Sequence, residues 1–351
     1  MRRTGITLAA AMSALVLAPT AAYACGGLVG ENGAIELLRT TTLAAYSDGV
    51  ERYVTAFEFS GEGESVGSIV PLPDVPTSVE RGGDWTLQRL ALEVAPPVTD
   101  DGASFAAEAE DRGGVEIILE TEIDALDITV LSGGGDEVGR WALDNGFFLP
   151  PDAPEMLDFY AERSPVFMAA KFDAARAAEL GQATGDSTPI MATIPTDDPW
   201  VPLRILSLGL DESRTVEADV FLLTDERPEL LAGGPGMKVE RSEPASSGLL
   251  ADLRFDVGME WVPSSMWLSY LQLDVTAGDL DYDLAVAAQP GAEPSLIDAG
   301  VGAAAAVPVQ RDSAGLPRWP ILLGAVAGMA AFLTVTAISR RRLVPGAPAA
   351  P

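Results

Sequence analysis

The sequence contains no histidine, one cysteine and two lysines in 351 residues. Without histidine, Ser-His-Asp and Cys-His catalysis and His-ligated zinc sites are excluded. The single cysteine, Cys25, excludes an intramolecular disulfide. Neither Lys171 nor Lys238 has a serine three residues before it or a glycine directly before it. A Ser-x-x-Lys nucleophile and a phosphate-binding Walker loop are therefore excluded as well.

Basic residues are scarce compared with acidic ones. The chain has 22 Lys plus Arg against 52 Asp plus Glu, and its formal net charge is −30 at pH 7. Between Cys25 and Arg318 the net charge is about −35, because five arginines lie outside this segment while all the acids lie inside it. Such a field repels nucleic acid and attracts cationic ligands or basic partners. A plainer explanation is that the acidity keeps an exported domain soluble.

One long uncharged run lies near the C-terminus. It extends from Ile321 to Ile338, with Trp319 before it and three arginines after it at 340–342. A helix of this length reaches about 27 Å, close to the hydrocarbon thickness of a bilayer. We predict one transmembrane helix over 317–339. The arginines favour a cytoplasmic tail at 340–351.

The N-terminus has the pattern of a secretory signal. Arg2 and Arg3 precede the apolar stretch 6–18, which is followed by the small-residue cleavage pattern Ala22-Tyr23-Ala24. We predict that residues 1–24 are removed, although an uncleaved segment would form a second membrane anchor. Together with the C-terminal helix, this pattern predicts a single-pass protein of the cell membrane, whose N-terminal domain is extracytoplasmic.

The exported part, residues 25–290, shows the periodicity of β-strands. Tyr53, Thr55 and Phe57 share one face of a strand. The predicted strands cover 35–45, 53–59, 68–72, 86–94, 115–121, 127–131, 166–172, 190–194, 203–208, 216–223, 237–243 and 268–275. We expect a β-rich α+β fold, in which antiparallel sheets pack as a sandwich. The Ala-, Gly- and Pro-rich segment 291–316 is predicted to be a linker to the membrane helix.

Three short helices are predicted as an insertion over about 136–181. They are the segment 136–144, a segment capped by Asp152, and the segment 174–180 capped by Asp173. We therefore expect a small helical part within the β-rich domain.

Several short motifs resemble those of a known family. They are Ala24-Cys25-Gly26-Gly27, the segment 69–73, Trp141 with Asn145-Gly146, the segment 164–171, and Pro195 with the segment 200–204. The chain resembles an uncharacterised bacterial family of exported proteins, the domain of unknown function numbered 2330. The resemblance covers most of residues 24–290. It implies a shared exported fold without an established activity, so no catalytic residue is carried over. A second cysteine often follows the family's first motif, but Leu28, Val29 and Gly30 stand there in this chain, which removes any disulfide role of such a pair.

Three alternating aspartates form a candidate cation site. On a strand, Asp279, Asp281 and Asp283 would point to the same side, about 6 to 7 Å apart. Their carboxylates could hold Ca²⁺, the one cofactor that the sequence suggests. The segment lacks the glycine and distal glutamate of an EF-hand loop. The alternative is a solvated outer face of a strand whose leucines pack inward.

Cys25 is a candidate lipidation site, because it would become the first residue after cleavage. Tyr23 is a poor residue for a lipobox at this position, so the alternative is an ordinary cleavage that exposes a thiol. An added acyl chain would contribute little anchoring beside a transmembrane helix.

Gly324 and Gly328 are spaced for helix packing within the predicted membrane helix. Two small residues four positions apart allow two helices to approach closely, which would support a homodimer through the anchor. Glycine and alanine are so abundant in this segment that chance also explains the spacing.

The sequence predicts a binding or structural module of the bacterial cell envelope, with an envelope protein or a cationic ligand as its partner. The alternative is an extracytoplasmic hydrolase that uses paired carboxylates. The two differ in the surface that each requires. An enzyme needs a deep cleft with converging acids, whereas a binding module needs only a groove or a flat face.

Overall fold

The computed structural model of the chain describes residues 27–30, 40–58, 66–94, 116–182, 187–289, 291–301, 307–308 and 310–311. The chain divides into two compact units, Met1–Gln310 and Arg311–Pro351. No helix within the described ranges is long and apolar enough to cross a membrane. The predictions that fall outside these ranges are the signal peptide 1–24, Cys25, the membrane helix 317–339 with Gly324 and Gly328, and the tail 340–351.

Strands make up most of the regular secondary structure among the described residues. In chain order they are β1 (Gly27–Gly30), β2 (Thr40–Ser47), β3 (Val50–Glu58), β4 (Val66–Leu72), β5 (Ser78–Arg81), β6 (Glu116–Ile123), β7 (Leu126–Ser132), β8 (Val166–Phe172), β9 (Ser187–Pro195), β10 (Trp200–Val201), β11 (Thr215–Thr224), β12 (Glu229–Ala232), β13 (Met237–Pro244), β14 (Trp267–Thr276), β15 (Leu284–Ala287), β16 (Val307–Pro308) and β17 (Gln310–Arg311). The helices are α1 (Thr86–Val94), α2 (Gly135–Asp144), α3 (Ala153–Ala161), α4 (Ala174–Leu180) and α5 (Ser247–Phe255), with 3-10 turns at Arg204–Ser207 and Ala277–Asp279.

The strands form three sheets. The largest has eight strands in the order β17-β13-β14-β11-β2-β3-β9-β5, the second has five in the order β1-β4-β8-β7-β6, and the third has four in the order β10-β15-β12-β16. Among the strand pairs whose register is described, β2 and β11 run parallel and the others are antiparallel. The β-rich prediction is confirmed. The eight-stranded sheet is mixed rather than purely antiparallel.

The largest core lies between the eight-stranded sheet and the two smaller sheets. Tyr53 and Leu222 point into it from the large sheet, while Met168 and Leu284 enter it from the five- and four-stranded sheets. All four side chains are almost completely buried. This arrangement is sheet-on-sheet packing, in which alternate residues of each strand face the opposing sheet.

Helices cover the outer faces of this sandwich. On the eight-stranded sheet, Val54 of β3 packs with Leu90 of α1 and Leu253 of α5. On the five-stranded sheet, Phe167 packs with α2 and α3, in a cluster that includes Trp141. Strands beneath these helices, such as β2, are therefore buried on both faces, which raises their apolar content above that of a simple alternating pattern.

Two predicted strands are wrong. Residues 86–94 form helix α1, in which Leu87 and Leu90 are buried and Arg89 pairs with Glu93 one turn later. Residues 203–208 contain a 3-10 turn, because a buried carboxylate binds the first two backbone amides of the segment. In both cases the structure has a helical segment where the sequence predicts a strand.

The three predicted helices are present as α2, α3 and α4, with strand β8 between the last two. The carboxylate of Asp173 caps α4 by accepting a hydrogen bond from the amide of Arg176 at 2.9 Å. Asp152 precedes α3 but does not cap it with its side chain. Its carboxylate accepts instead from the amide of Gly209 at 2.8 Å.

The folded body extends past residue 290. Ala299 is fully buried, and its carbonyl accepts a hydrogen bond from the amide of Asp283. The segment 291–301 therefore packs on the domain, although the amino-acid composition predicts a linker there.

Candidate functional site

The structure does not bring Asp279, Asp281 and Asp283 together on a strand face. Asp279 ends a 3-10 turn and accepts a hydrogen bond from the hydroxyl of Thr276 at 2.7 Å. Asp281 is exposed, and Asp283 is fully buried directly before β15. Residues 279–283 therefore do not form the strand on which the three carboxylates would share one face. In the part of the chain that the structure describes, no three acidic or cysteine side chains are grouped closely enough to hold a metal ion.

Asp283 instead joins three parts of the fold. One carboxylate oxygen accepts from the amides of Leu203 and Arg204 at 2.6 and 3.0 Å, and from the hydroxyl of Tyr160 at 2.9 Å. The other oxygen forms an ion pair with the buried guanidinium of Arg163. A buried charge is tolerated when it is paired and its lone pairs are used, and Asp283 meets both conditions.

Aromatic rings surround this ion pair. Trp200 stacks on Tyr160 with a ring centroid distance of 5.8 Å, and the guanidinium of Arg163 lies 4.1 Å from the centroid of Trp200. Burial raises the pKa of Tyr160 well above its ordinary value, and the charge of Asp283 adds to that effect. The phenol therefore stays protonated and donates to Asp283. This cluster is closed to solvent, so we assign it a structural role.

Glu51 is a second buried carboxyl group, and it has a different environment. Its side chain is 1% exposed between the sheets, where Tyr46 and Ile194 are its neighbours on adjacent strands. Neither carboxyl oxygen has a hydrogen-bond partner of good geometry among the described residues. Burial raises the pKa of Glu51 to about 8, and the backbone amide of Trp200 acts in the opposite direction. Glu51 is therefore mostly protonated at neutral pH, in the interior between the sheets.

A surface that could bind a ligand lies on the outer face of the eight-stranded sheet. There a groove of about 580 Å³ is lined by residues of β3, β5 and β9 and by the loop that follows α5. Arg52 of β3 is opposite Thr193 of β9, and Thr193 is opposite Ser78 of β5. These three polar side chains form a row across the sheet, because directly paired residues project to the same face. We call this surface the Arg52 groove.

Arg52 is held against an indole ring. Its guanidinium carbon lies 4.5 Å from the ring centroid of Trp261, within the range of a cation–π interaction. Among the described residues, it has no carboxylate within ion-pair distance and no hydrogen-bond acceptor. Burial lowers the pKa of Arg52 and the charge of Asp48 raises it, but arginine remains protonated at physiological pH in either case.

Two glutamates give the groove a second kind of charge. Glu80 and Glu260 both line it and are exposed. The hydroxyl of Ser78 donates to the carboxylate of Glu80 at 3.2 Å. The lining guanidinium of Arg81 is engaged by Asp84 and Asp124. The groove thus presents one arginine without a carboxylate partner beside two accessible carboxylates.

The loop that forms the groove wall lies close to β5. Gly258 has a φ of +79°, and a Cβ atom at this position would lie 2.6 Å from the carbonyl oxygen of Arg81. Only glycine fits such a close backbone approach without displacement. The same loop places Val257 and Trp261 at the groove.

The sequence matches one family model. Residues 19–232 match the family described as "Uncharacterized protein conserved in bacteria (DUF2330)". The chain belongs to this family. The resemblance in the short motifs is thereby confirmed, and no curated protein matches the sequence. The family contributes no assignment of function.

Solved structures of a baculovirus protein are similar at a low level. The crystal structure of baculovirus P35 matches with a TM-score of 0.36 and 10% identity, over 73% of this chain and 94% of P35. A mutated P35 after caspase cleavage gives a TM-score of 0.34 and 9% identity, over 73% and 96% of the two chains. The crystal structure of the caspase-8/P35 complex matches with a TM-score of 0.33 and 7% identity, over 71% of this chain and 92% of the P35 chain. These values are too low to bear on function.

Sequence reasoning missed the Arg52 groove. Its residues come from β3, β5, β9 and the loop after α5, and nothing in the family motifs links these segments. The one local signal is Arg52 itself, a charged residue on the strand face that carries Val54 and Ala56 into a core. A charged residue on such a face indicates that the apolar packing against this face of the sheet ends at that position.

Proposed function

We propose that the protein is a single-pass binding module of the bacterial cell envelope and that the Arg52 groove is its ligand-binding site. The observation that carries this proposal is the guanidinium of Arg52, which is half-buried on Trp261 without a carboxylate partner among the described residues. The proposal of an envelope location rests on the sequence patterns at 1–24 and 317–339.

A partly buried arginine without an acceptor among the described residues is unexpected in this chain. The formal net charge is −30, so carboxylates are abundant, and other arginines use them: Arg81, Arg89 and Arg176 each form ion pairs. Partial removal from water weakens the solvation of a cation, and a carboxylate or another acceptor normally compensates for that loss. An anionic group of a ligand would supply the compensation at Arg52.

The exposure of the glutamates in the groove supports binding over the hydrolase that the sequence offers as the alternative. Hydrolysis by paired carboxylates needs a general acid and a second carboxylate fixed on either side of the bond that is cleaved. Glu80 and Glu260 line the same groove, but both are exposed. Binding requires no such fixed pair, so we favour binding. If the purified protein hydrolysed a glycoside and Glu80→Gln or Glu260→Gln abolished that activity, the hydrolase would replace the binding module.

The envelope location can be tested on intact cells. A protease added from outside should digest the N-terminal domain, while a tag placed after Pro351 should stay protected by the membrane. Cells permeabilised with detergent provide the control, since the tag should then be lost. Loss of the tag in intact cells would contradict the predicted orientation.

The binding site can be tested with a panel of simple compounds. The full chain, purified in detergent, is screened against small anions and zwitterions by thermal shift, since a ligand that binds the folded state raises the melting temperature. Compounds that act at the groove should have no effect on Arg52→Gln and should still stabilise Arg140→Gln. Arg140 is exposed on α2, away from the groove, so this variant is a matched control for charge. If no compound distinguishes the two variants, the proposal is wrong.

A further inference from the structure

We propose that the Arg52 groove binds a short peptide, with the C-terminal carboxylate at Arg52 and the amino group toward Glu80 and Glu260. This inference rests on the proposed function and specifies the ligand of the same site. It follows from the two kinds of charge that the groove presents and from the distance between them.

The stacking of Arg52 suits it for a carboxylate. The guanidinium carbon of Arg52 lies over the indole of Trp261, 4.5 Å from the ring centroid. This cation–π contact uses no carboxylate or carbonyl acceptor, so the N–H donors of the guanidinium remain available to a ligand. Two parallel N–H donors match the two oxygens of a carboxylate. The stack also holds the side chain in place, which lowers the entropy that arginine loses on binding.

Thr193 extends this anion-binding part of the groove. It is the residue directly opposite Arg52 on β9, and it is partly exposed. Cβ atoms of directly opposed residues lie about 5 Å apart, so the threonine hydroxyl lines the groove beside the side chain of Arg52. A hydroxyl can donate a hydrogen bond to an anion and adds no charge of its own.

Glu80, which lies two strands away from Arg52, determines the other end of the ligand, and Glu260 adds a second negative charge to the groove. A polyanion such as a nucleotide would meet Glu80 and Glu260, whose charges repel it. An ammonium group would be attracted to the same carboxylates. Glu80 is exposed and already accepts from Ser78, so its remaining lone pairs can accept from a ligand.

The spacing of Arg52 and Glu80 along and across the sheet sets the length of the ligand. Glu80 lies two strands away from Arg52 and two residues further along, as the pairings of Thr193 with Arg52 and with Ser78 show. With strands about 4.8 Å apart and a rise of about 3.3 Å per residue, the two Cα atoms are about 12 Å apart. An extended tripeptide spans about 10 Å. The groove volume of about 580 Å³ lies within the range of small-ligand sites.

Trialanine is the probe for this inference. The full chain in detergent is titrated with three forms of the peptide: the free acid, the C-terminal amide, and the N-acetylated acid. We expect the free acid to bind most tightly. The amide should bind about tenfold or more weakly, because it loses the charge-assisted hydrogen bonds to Arg52. The acetylated acid should also bind more weakly, since it has no ammonium group.

The variants assign each end of the peptide to its residue. Arg52→Gln should remove the difference between acid and amide, while the double change Glu80→Gln with Glu260→Gln should remove the difference between the free and the acetylated amine. Arg140→Gln should change neither. If wild-type protein binds acid and amide equally, or binds no form of trialanine, the inference is overturned whatever the variants do.

The same titration separates this inference from the proposed function. Inorganic phosphate and acetate are tested in parallel with trialanine. If either of them binds and loses affinity in Arg52→Gln while trialanine does not bind, the groove remains a binding site and the peptide inference fails. If no compound of the wider screen loses binding in Arg52→Gln, the proposed function and the peptide inference both fail.

Discussion

Asp283 and Glu51 are both carboxyl groups with almost no exposure to solvent, but the fold treats them in opposite ways. Asp283 accepts three hydrogen bonds from Leu203, Arg204 and Tyr160 and pairs with the guanidinium of Arg163. Glu51 lies between the sheets without a partner of good geometry among the described residues, and its pKa is raised to about 8. One carboxyl is surrounded by a cation and hydrogen-bond donors, and the other is kept as a neutral acid.

The difference shows what decides the state of a buried acid. Burial alone favours the neutral form, whatever the residue. Donors can reverse this preference, but only if other elements place them around the carboxylate. For Asp283 the donors come from α3 and from the 3-10 turn at 204–207, both remote in sequence. Glu51, in the middle of an eight-stranded sheet, faces mainly apolar neighbours.

The largest effect is expected from breaking the ion pair of Asp283. Arg163→Met leaves a buried carboxylate without its cation, and such a change typically costs about 3 to 5 kcal/mol of unfolding free energy. Urea unfolding of the full chain in detergent measures it. Arg204→Met is the control, because the partner of that side chain, Glu155, is largely exposed and the loss should stay within about 1 kcal/mol. Equal losses would contradict the role assigned to Arg163.

The second prediction concerns Glu51 and pH. Because its folded-state pKa of about 8 lies above the ordinary value of 4.5, the folded protein keeps a proton that the unfolded chain releases between these values. Stability should therefore fall as pH rises through this window, by about 3 to 4 kcal/mol from pH 5 to pH 8. Glu51→Gln has no proton to release.

The measurement is the unfolding free energy of wild type and Glu51→Gln at several pH values. We expect the two proteins to differ little at pH 5 and the variant to be the more stable at pH 8. Glu80→Gln is the matched control on an exposed residue of the same sheet and should keep the wild-type slope. A variant that shows the same pH dependence as wild type would mean that Glu51 is ionised in the folded protein.

The sequence predicts those features that depend on local patterns. The alternation around Tyr53 predicts β3, and the capping aspartate with the following glycine predicts α4. The alternation of Leu90, Leu92 and Val94 predicts a strand where helix α1 lies. The spacing of Leu87, Leu90 and Val94, together with the pairing of Arg89 and Glu93, is the helical signal in the same segment.

Features that depend on distant residues could not be predicted. The segment 203–208 has the composition of a strand, but Asp283 binds its first amides from eighty positions further along the chain. The same contact explains why Asp283 does not stand on an exposed strand face with Asp281. The Arg52 groove depends on the register of three strands and on a loop, and no single segment contains that information.

A third prediction tests whether the donors of Asp283 act as a unit. Tyr160→Phe removes one donor to Asp283 and also the acceptor for the amide of Ile205, so we expect a loss of about 1 to 3 kcal/mol. Combined with Arg163→Met, it should be non-additive by at least about 0.5 kcal/mol, because both changes act on one carboxylate. The same tyrosine change combined with Glu51→Gln should be additive. If the two double variants showed equal non-additivity, Asp283 and Glu51 would not lie in separate environments.

The smallest effect is expected at the exposed aspartates next to Asp283. Asp283 is committed to internal donors and Asp279 to Thr276, so Asp281 has little support for holding a cation. Because an acidic domain relieves its own repulsion in any salt, millimolar CaCl₂ should raise the melting temperature no more than NaCl of equal ionic strength. We expect Asp281→Asn to change this response little. A larger shift with Ca²⁺ than with matched NaCl, abolished by Asp281→Asn, would instead support a calcium site at these residues.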